Sequence, residues 1–132
     1  MTALDTNVIV RFLVCDDEKQ ARIVHARFKQ AETNSETLFI SLPVVLETIW
    51  VLESVYDKTR REILDALDAM KDMKILEFEK PHVMQQLVED GRTTHADLSD
   101  LLIASAAQTC GCSGCMTFDK KAAKMPFFRL LA

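Results

Sequence analysis

Short apolar runs suited to strands alternate with longer stretches of helical periodicity, and this alternation constrains the chain more than any other feature. The strand candidates are residues 2–5, "TLFIS" at 37–41, "KILEF" at 74–78, "CMTF" at 115–118, read as a buried strand, and "FFRLL" at 127–131, read as an edge strand. The helix candidates fall between them. "NVIVRFLV" comes first. "DDEKQARIVHARFKQAE" follows, with Asp16 as its N-cap and Ala21, Val24 and Phe28 on one face. Pro43 suits a first helical position and opens "PVVLETIWVLESVY". "TRREILDALDAMKDM" gathers Ile63, Leu64, Leu67 and Met70 on one side. "PHVMQQLVEDG" and "DLSDLLIASAAQTCG" complete the series, the latter the clearest helix of all. Such alternation predicts an α/β fold with a central, largely parallel sheet of about five short strands. Ligands of such sheets gather at the carboxyl ends of the strands. Asp5 and Asp119 both stand at such ends.

The 132 residues suit one domain, and 48% hydrophobic content is enough for a core. No apolar run approaches the roughly 20 residues of a membrane span. The opening lacks the basic segment and long apolar stretch of a signal peptide, which predicts a cytoplasmic protein. In that compartment Cys15, Cys110, Cys112 and Cys115 are thiols rather than disulfides. "CGCSGC" is poorly spaced for zinc, with Cys110 and Cys112 one residue apart and no local fourth ligand. It is read as a helix end, a glycine turn through 111–114 and small buried side chains. The net charge of −4 is not the footprint of a protein that holds nucleic acid by charge alone. A nucleic-acid partner therefore requires a mediating cation or locally concentrated positive charge.

Several carboxylates sit awkwardly. On a helix, Glu47 has Pro43, Val44, Trp50 and Val51 as neighbours, which predicts that it faces the core. A buried lone carboxylate must pair, protonate or bind metal. Asp97 and Asp100 share a helix face that continues through Ile103, Ala104 and Ala107. A Thr94–Asp97 capping box accounts for Asp97 but less well for Asp100, which lies further in. Asp119 alone reads as a turn and Asp5 alone as an N-cap. Taken together, two acids at strand ends and two on apolar helix faces form the kind of set that a hard cation, Mg²⁺ or Mn²⁺, gathers.

"ALDTNVIVRFL", "SLPVVLETIWVL", "ADLSDLLIASAA" and "TFDKKAAKMPFFRLL" occur in the order expected of a PIN-domain protein, and more narrowly resemble the VapC-type toxins of toxin–antitoxin pairs. The resemblance covers nearly the whole chain. It implies a single PIN-like domain over residues 1–132, an α/β/α sandwich, whose acidic cluster binds Mg²⁺ or Mn²⁺ and cleaves RNA. Carried over by position, the acids fall on Asp5, Glu47, Asp100 and Asp119. Asp5, Asp100 and Asp119 are the metal ligands, and Glu47 is either a ligand or the group that orients water. Asp97 occupies a neighbouring, sometimes acidic position. Thr6, Asn7 and Thr117 are second-rank candidates for orienting a carboxylate or a water. The glycine turn expected near "CGCSGC" is altered here.

Arg11, Lys120 and Lys121 lie nearest the acids in sequence and are the candidates for gripping substrate, set against an ordinary solvated surface. The resemblance further implies a cognate antitoxin protein filling the active-site groove, and a homodimer. Trp50, Val51, Leu52 and Tyr56 are candidates for those contacts or for helix core. His25, His82 and His95 are read as structural or exposed. Two other readings stand beside the nuclease. One is an aspartyl phosphotransferase, although Asn7 occupies the place where haloacid-dehalogenase-like phosphatases carry a second aspartate. The other is a non-catalytic module that binds RNA or protein.

Overall fold

Parallel strands cannot be joined by a tight turn, so each neighbouring pair needs a crossover, which the segments between the apolar runs supply. A computed structural model describes residues 1–132. Two compact units, Met1–Pro81 and His82–Ala132, are described in turn.

The first unit runs β1 (Thr2–Ala3), α1 (Thr6–Val14), α2 (Glu18–Thr33), β2 (Leu38–Ile40), α3 (Leu42–Ser54), α4 (Arg60–Lys71) and β3 (Leu76–Phe78). Its sheet has the order β1-β2-β3, and both pairings are parallel, with Thr2 opposite Leu38 and Leu38 opposite Leu76. Leu38, Ile40, Leu76 and Phe78 are buried, whereas Glu77 between the last two is exposed, following the two-residue period of a strand. Ile9, Phe28, Ile49, Ile63 and Leu67 bring the apolar stripes of α1 to α4 into the core.

Capping side chains fix where these helices begin. Asp17, not Asp16, caps α2 by accepting from the Gln20 amide at 3.0 Å. Asp16 is drawn away by Arg11 at 3.0 Å and the Tyr56 hydroxyl at 2.9 Å. Ser41 caps α3, so Pro43 falls one residue inside the first helical position, where its missing N–H still costs nothing. A reciprocal capping box joins Thr59 and Glu62 at the start of α4. Arg27 of α2 grips Glu36 with two parallel hydrogen bonds of 2.8 and 2.7 Å, fixing the approach to β2.

The second unit contains α5 (Pro81–Thr93), α6 (Leu98–Thr109), β4 (Cys115–Thr117), a 3-10 turn at Ala122–Lys124 and β5 (Phe128–Leu130). β4 and β5 are parallel, with Cys115 opposite Phe128 and Thr117 opposite Leu130. One face of this pair packs inward: Ala104, Ala122 and Phe128 form a small core flanked by Cys115, Met125 and Phe127. The other face is open. The expected buried strand "CMTF" is therefore half exposed, since Met116 and Phe118 are 73% and 72% accessible.

Gly111 ends α6 at φ 87°, with its amide on the Gln108 carbonyl and the Cys112 amide on that of Ala107. Two bonds of that pattern around a left-handed glycine make a Schellman ending. The glycine turn is thus present, but the small buried side chains are not. Cys110 and Cys112 are exposed and Cys115 is half-buried, because the turn carries the first two past the end of the packed helix. All four cysteines are free thiols. No helix is long and apolar enough to cross a membrane.

Candidate functional site

In the first unit, Leu4 extends the ladder by donating a hydrogen bond from its amide to the Phe39 carbonyl at 2.8 Å, and the chain then turns sharply into α1. Asp5 makes that turn. Its backbone is extended, and its Oδ1 accepts from the Val8 amide at 3.2 Å. Thr6, the next residue, is buried, and its hydroxyl donates to Oε1 of Glu47 on α3. Glu47 does not face the core as expected. The α-helical period puts Val45, Thr48, Ile49 and Leu52 on the buried stripe and leaves Glu47 exposed on its flank. The acid is held by Thr6, not trapped among apolar groups. Asn7 is exposed and shares a hollow with Asp5, Val8 and Arg11.

Arg11 is heavily engaged. Besides Asp16, it donates to Tyr56 at 3.0 Å and to Gln20 at 2.6 Å. The Tyr56 hydroxyl, with Asp16 behind it, raises the guanidinium pKa above its ordinary value. Trp50 is 60% accessible whereas Leu52 is buried, so only part of the apolar run on α3 enters the core.

In the second unit, Asp97 occupies the N-cap of α6 but makes no capping bond with its side chain. The helix therefore starts one turn later than a box capped by Thr94 would place it, and the Thr94 hydroxyl donates to the Asp90 carbonyl at 2.7 Å. Asp97 Oδ1 instead accepts from Lys121 Nζ at 2.8 Å. Asp100 lies half-buried in the first turn of α6. Asp119 follows β4 in a tight turn: its amide donates to the Thr117 hydroxyl at 2.9 Å, and its Oδ1 accepts from the Lys121 amide at 2.8 Å. Thr117 therefore orients the backbone of Asp119, and the turn aims its carboxylate.

Asp97, Asp100 and Asp119 each present one carboxylate oxygen, and the three oxygens lie within 4.8 Å of one another. No cysteine belongs to the cluster. Burial raises the Asp100 pKa, the charges of Asp97 and Asp119 raise it further, and Lys121 only partly offsets them. An excess of negative charge on an all-oxygen donor set is what a hard divalent cation neutralises, so the residues fit Mg²⁺ or Mn²⁺.

A PIN domain family model matches residues 2–128. The chain belongs to the PIN domain family. Its helix-rich α/β fold with few, short, parallel strands is that of a PIN domain. PIN domains are generally nucleases and typically use divalent metals, which suits the oxygen cluster of the second unit. The search of curated proteins and the search of solved structures each found no significant match.

Within this PIN domain protein, the structure links Thr6 to Glu47 in one unit and groups Asp97, Asp100 and Asp119 in the other. Lys120 is exposed beside the Asp119 turn. Lys121, expected to grip substrate, is the ion-pair partner of Asp97. The sequence carried no signal for that pairing, because 24 residues separate the two groups and no local periodicity joins them.

Proposed function

We propose that this PIN domain protein is a metal-dependent endoribonuclease, the toxin of a type II toxin–antitoxin pair, and that residues 1–132 work as one PIN domain. The observation that supports the reading best is the trio of carboxylate oxygens from Asp97, Asp100 and Asp119, gathered within 4.8 Å around a half-buried Asp100 whose pKa is raised by burial and by the two neighbouring acids. The proposed catalytic acids are Asp5, Glu47, Asp100 and Asp119, of which Asp5, Asp100 and Asp119 would hold the ion. A bound divalent cation supplies an acidified water and neutralises charge on the phosphate.

The remaining work falls to the chain. The Thr6 hydroxyl fixes one oxygen of Glu47, leaving the other to orient a water. Lys121 balances Asp97, and the Asp119 turn keeps its carboxylate aimed without relying on rotamer freedom. Lys120, with Arg11 and Lys121, would meet the phosphate backbone. Further parts of the proposal are a cytoplasmic location, a homodimer and an antitoxin that silences the site.

The test maps RNA ends after induction of the wild type beside Asp5→Ala and Asp119→Asn, and repeats the cleavage with purified protein and chelator. New ends unique to the wild type, restored in vitro by Mg²⁺ or Mn²⁺, are expected. Ends shared by all three proteins would remove the nuclease reading.

A further inference from the structure

A hollow of about 290 Å³ lies in the second unit, lined by His95, Ala96, Lys121, Lys124, Met125 and Pro126. Its size is at the lower end of ligand-holding pockets. One wall is the turn between α5 and α6, and the other is the 3-10 turn leading toward β5. The second wall is preformed. Met125 packs on the Ala104–Ala122–Phe128 core, and its amide bonds the Ala122 carbonyl at 2.9 Å.

Two features give the hollow a ligand chemistry. No carboxylate lines it, although the whole chain carries a net charge of −4; two lysines and a histidine do. Met125, Pro126 and Ala96 supply flat apolar surface beside those groups. Ammonium groups next to an apolar wall suit a phosphate attached to a ring. The hollow also adjoins the acidic cluster, because Ala96 directly precedes Asp97 and Lys121 lines the hollow while bonding Asp97 at 2.8 Å.

We propose that this hollow seats one nucleotide of single-stranded RNA next to the phosphodiester held at the acids. Lys124 meets its phosphate, and the base lies against Met125 and Pro126 with the His95 ring available for stacking. The inference rests on the ribonuclease reading and adds to it a nucleotide subsite built from His95, Lys124, Met125 and Pro126.

The full chain is assayed with a short single-stranded oligoribonucleotide, by cleavage kinetics with Mg²⁺ or Mn²⁺ and by fluorescence anisotropy in EDTA. Lys124→Ala is expected to raise both KM and Kd about tenfold, the loss of one charge-assisted contact, with kcat little changed. Its salt slope should fall by about 0.7, one phosphate on a single strand. Lys124→Arg should restore binding, and Ala96→Leu should imitate the loss by filling the hollow. Lys74→Ala, an exposed residue of the first unit, is the control for lost surface charge.

If the wild type cleaves RNA while Lys124→Ala and Ala96→Leu keep its KM and Kd, the subsite is wrong and the nuclease stands. If RNA binds with the Lys124 dependence but is never cut, the subsite stands and the nuclease falls. Duplex RNA bound as tightly as single strand, or a peptide that protects Lys124 where RNA does not, overturns the subsite.

Discussion

Thr48 and Thr6 show two opposite uses of a buried hydroxyl. Thr48 is 1% accessible, and its Oγ1 has no hydrogen-bond partner. An unsatisfied buried hydroxyl costs about 1–3 kcal/mol, so Thr48→Val should stabilise the protein by about 1 kcal/mol, read as a raised denaturant midpoint with an unchanged m value. Thr6 is also buried, but its hydroxyl serves Glu47. Thr6→Val keeps the shape and removes only that bond. If Glu47 works in catalysis, activity should drop about 10- to 100-fold, as losses of ligand-orienting partners do, while the melting temperature stays within a degree or two of the wild type. A Thr6→Val protein with full activity would separate Glu47 from the reaction. The resemblance offered Thr6 as a group that could orient a carboxylate, but not which one, because a contact spanning 41 residues leaves no local trace.

At the scale of elements, an ion pair helps to hold the joint between α2 and β2. The paired hydrogen bonds from Arg27 lower the Glu36 pKa below its ordinary 4.5, against a smaller opposing effect of burial. A carboxylate lowered in the folded state contributes stability that is complete above its unfolded value and disappears as pH falls through the folded one. Melts of Glu36→Gln and wild type should therefore differ most at neutral pH and converge as the pH drops below about 4.5. A constant gap down to strongly acid solution would exclude the ion pair as its origin. The capping box of α4 offers a second check: Thr59→Ala should cost about 1 kcal/mol. Element types were readable because periods of 3.6 and 2 are written in the residues themselves. Element edges were less so. Whether Asp16 or Asp17 caps α2 is decided by Arg11 and Tyr56, and Tyr56 lies 40 residues from Asp16. The exposure of Met116 was illegible for a similar reason, since a run of four apolar residues does not say how many faces of its strand are covered.

For the whole molecule, Asp100 and Asp119 were legible as candidates from their places on a helix face and at a strand end, and the structure groups them with Asp97, whereas the apolar-face reading of Glu47 failed. The partner of the cluster was not legible, because Lys121 reaches Asp97 only through the fold. Metal linkage tests the molecule as a unit. Mg²⁺ or Mn²⁺ should raise the melting temperature in proportion to the logarithm of its concentration above Kd, and Asp100→Asn should flatten that rise. A wild-type melt indifferent to both ions would leave the oxygen cluster without a cation. Phe128 anchors the small core behind the Asp119 turn, and Phe128→Ala should cost about 3–5 kcal/mol, with faster amide exchange at Thr117 and Asp119. The same anchor has a consequence for synthesis. Thr117 acquires its ladder partner only when Leu130 has emerged from the ribosome, so Asp119 sits on an unsupported segment until translation has passed that point. A nascent chain interrupted before Leu130 would carry every acid yet lack the strand that holds the last of them in place.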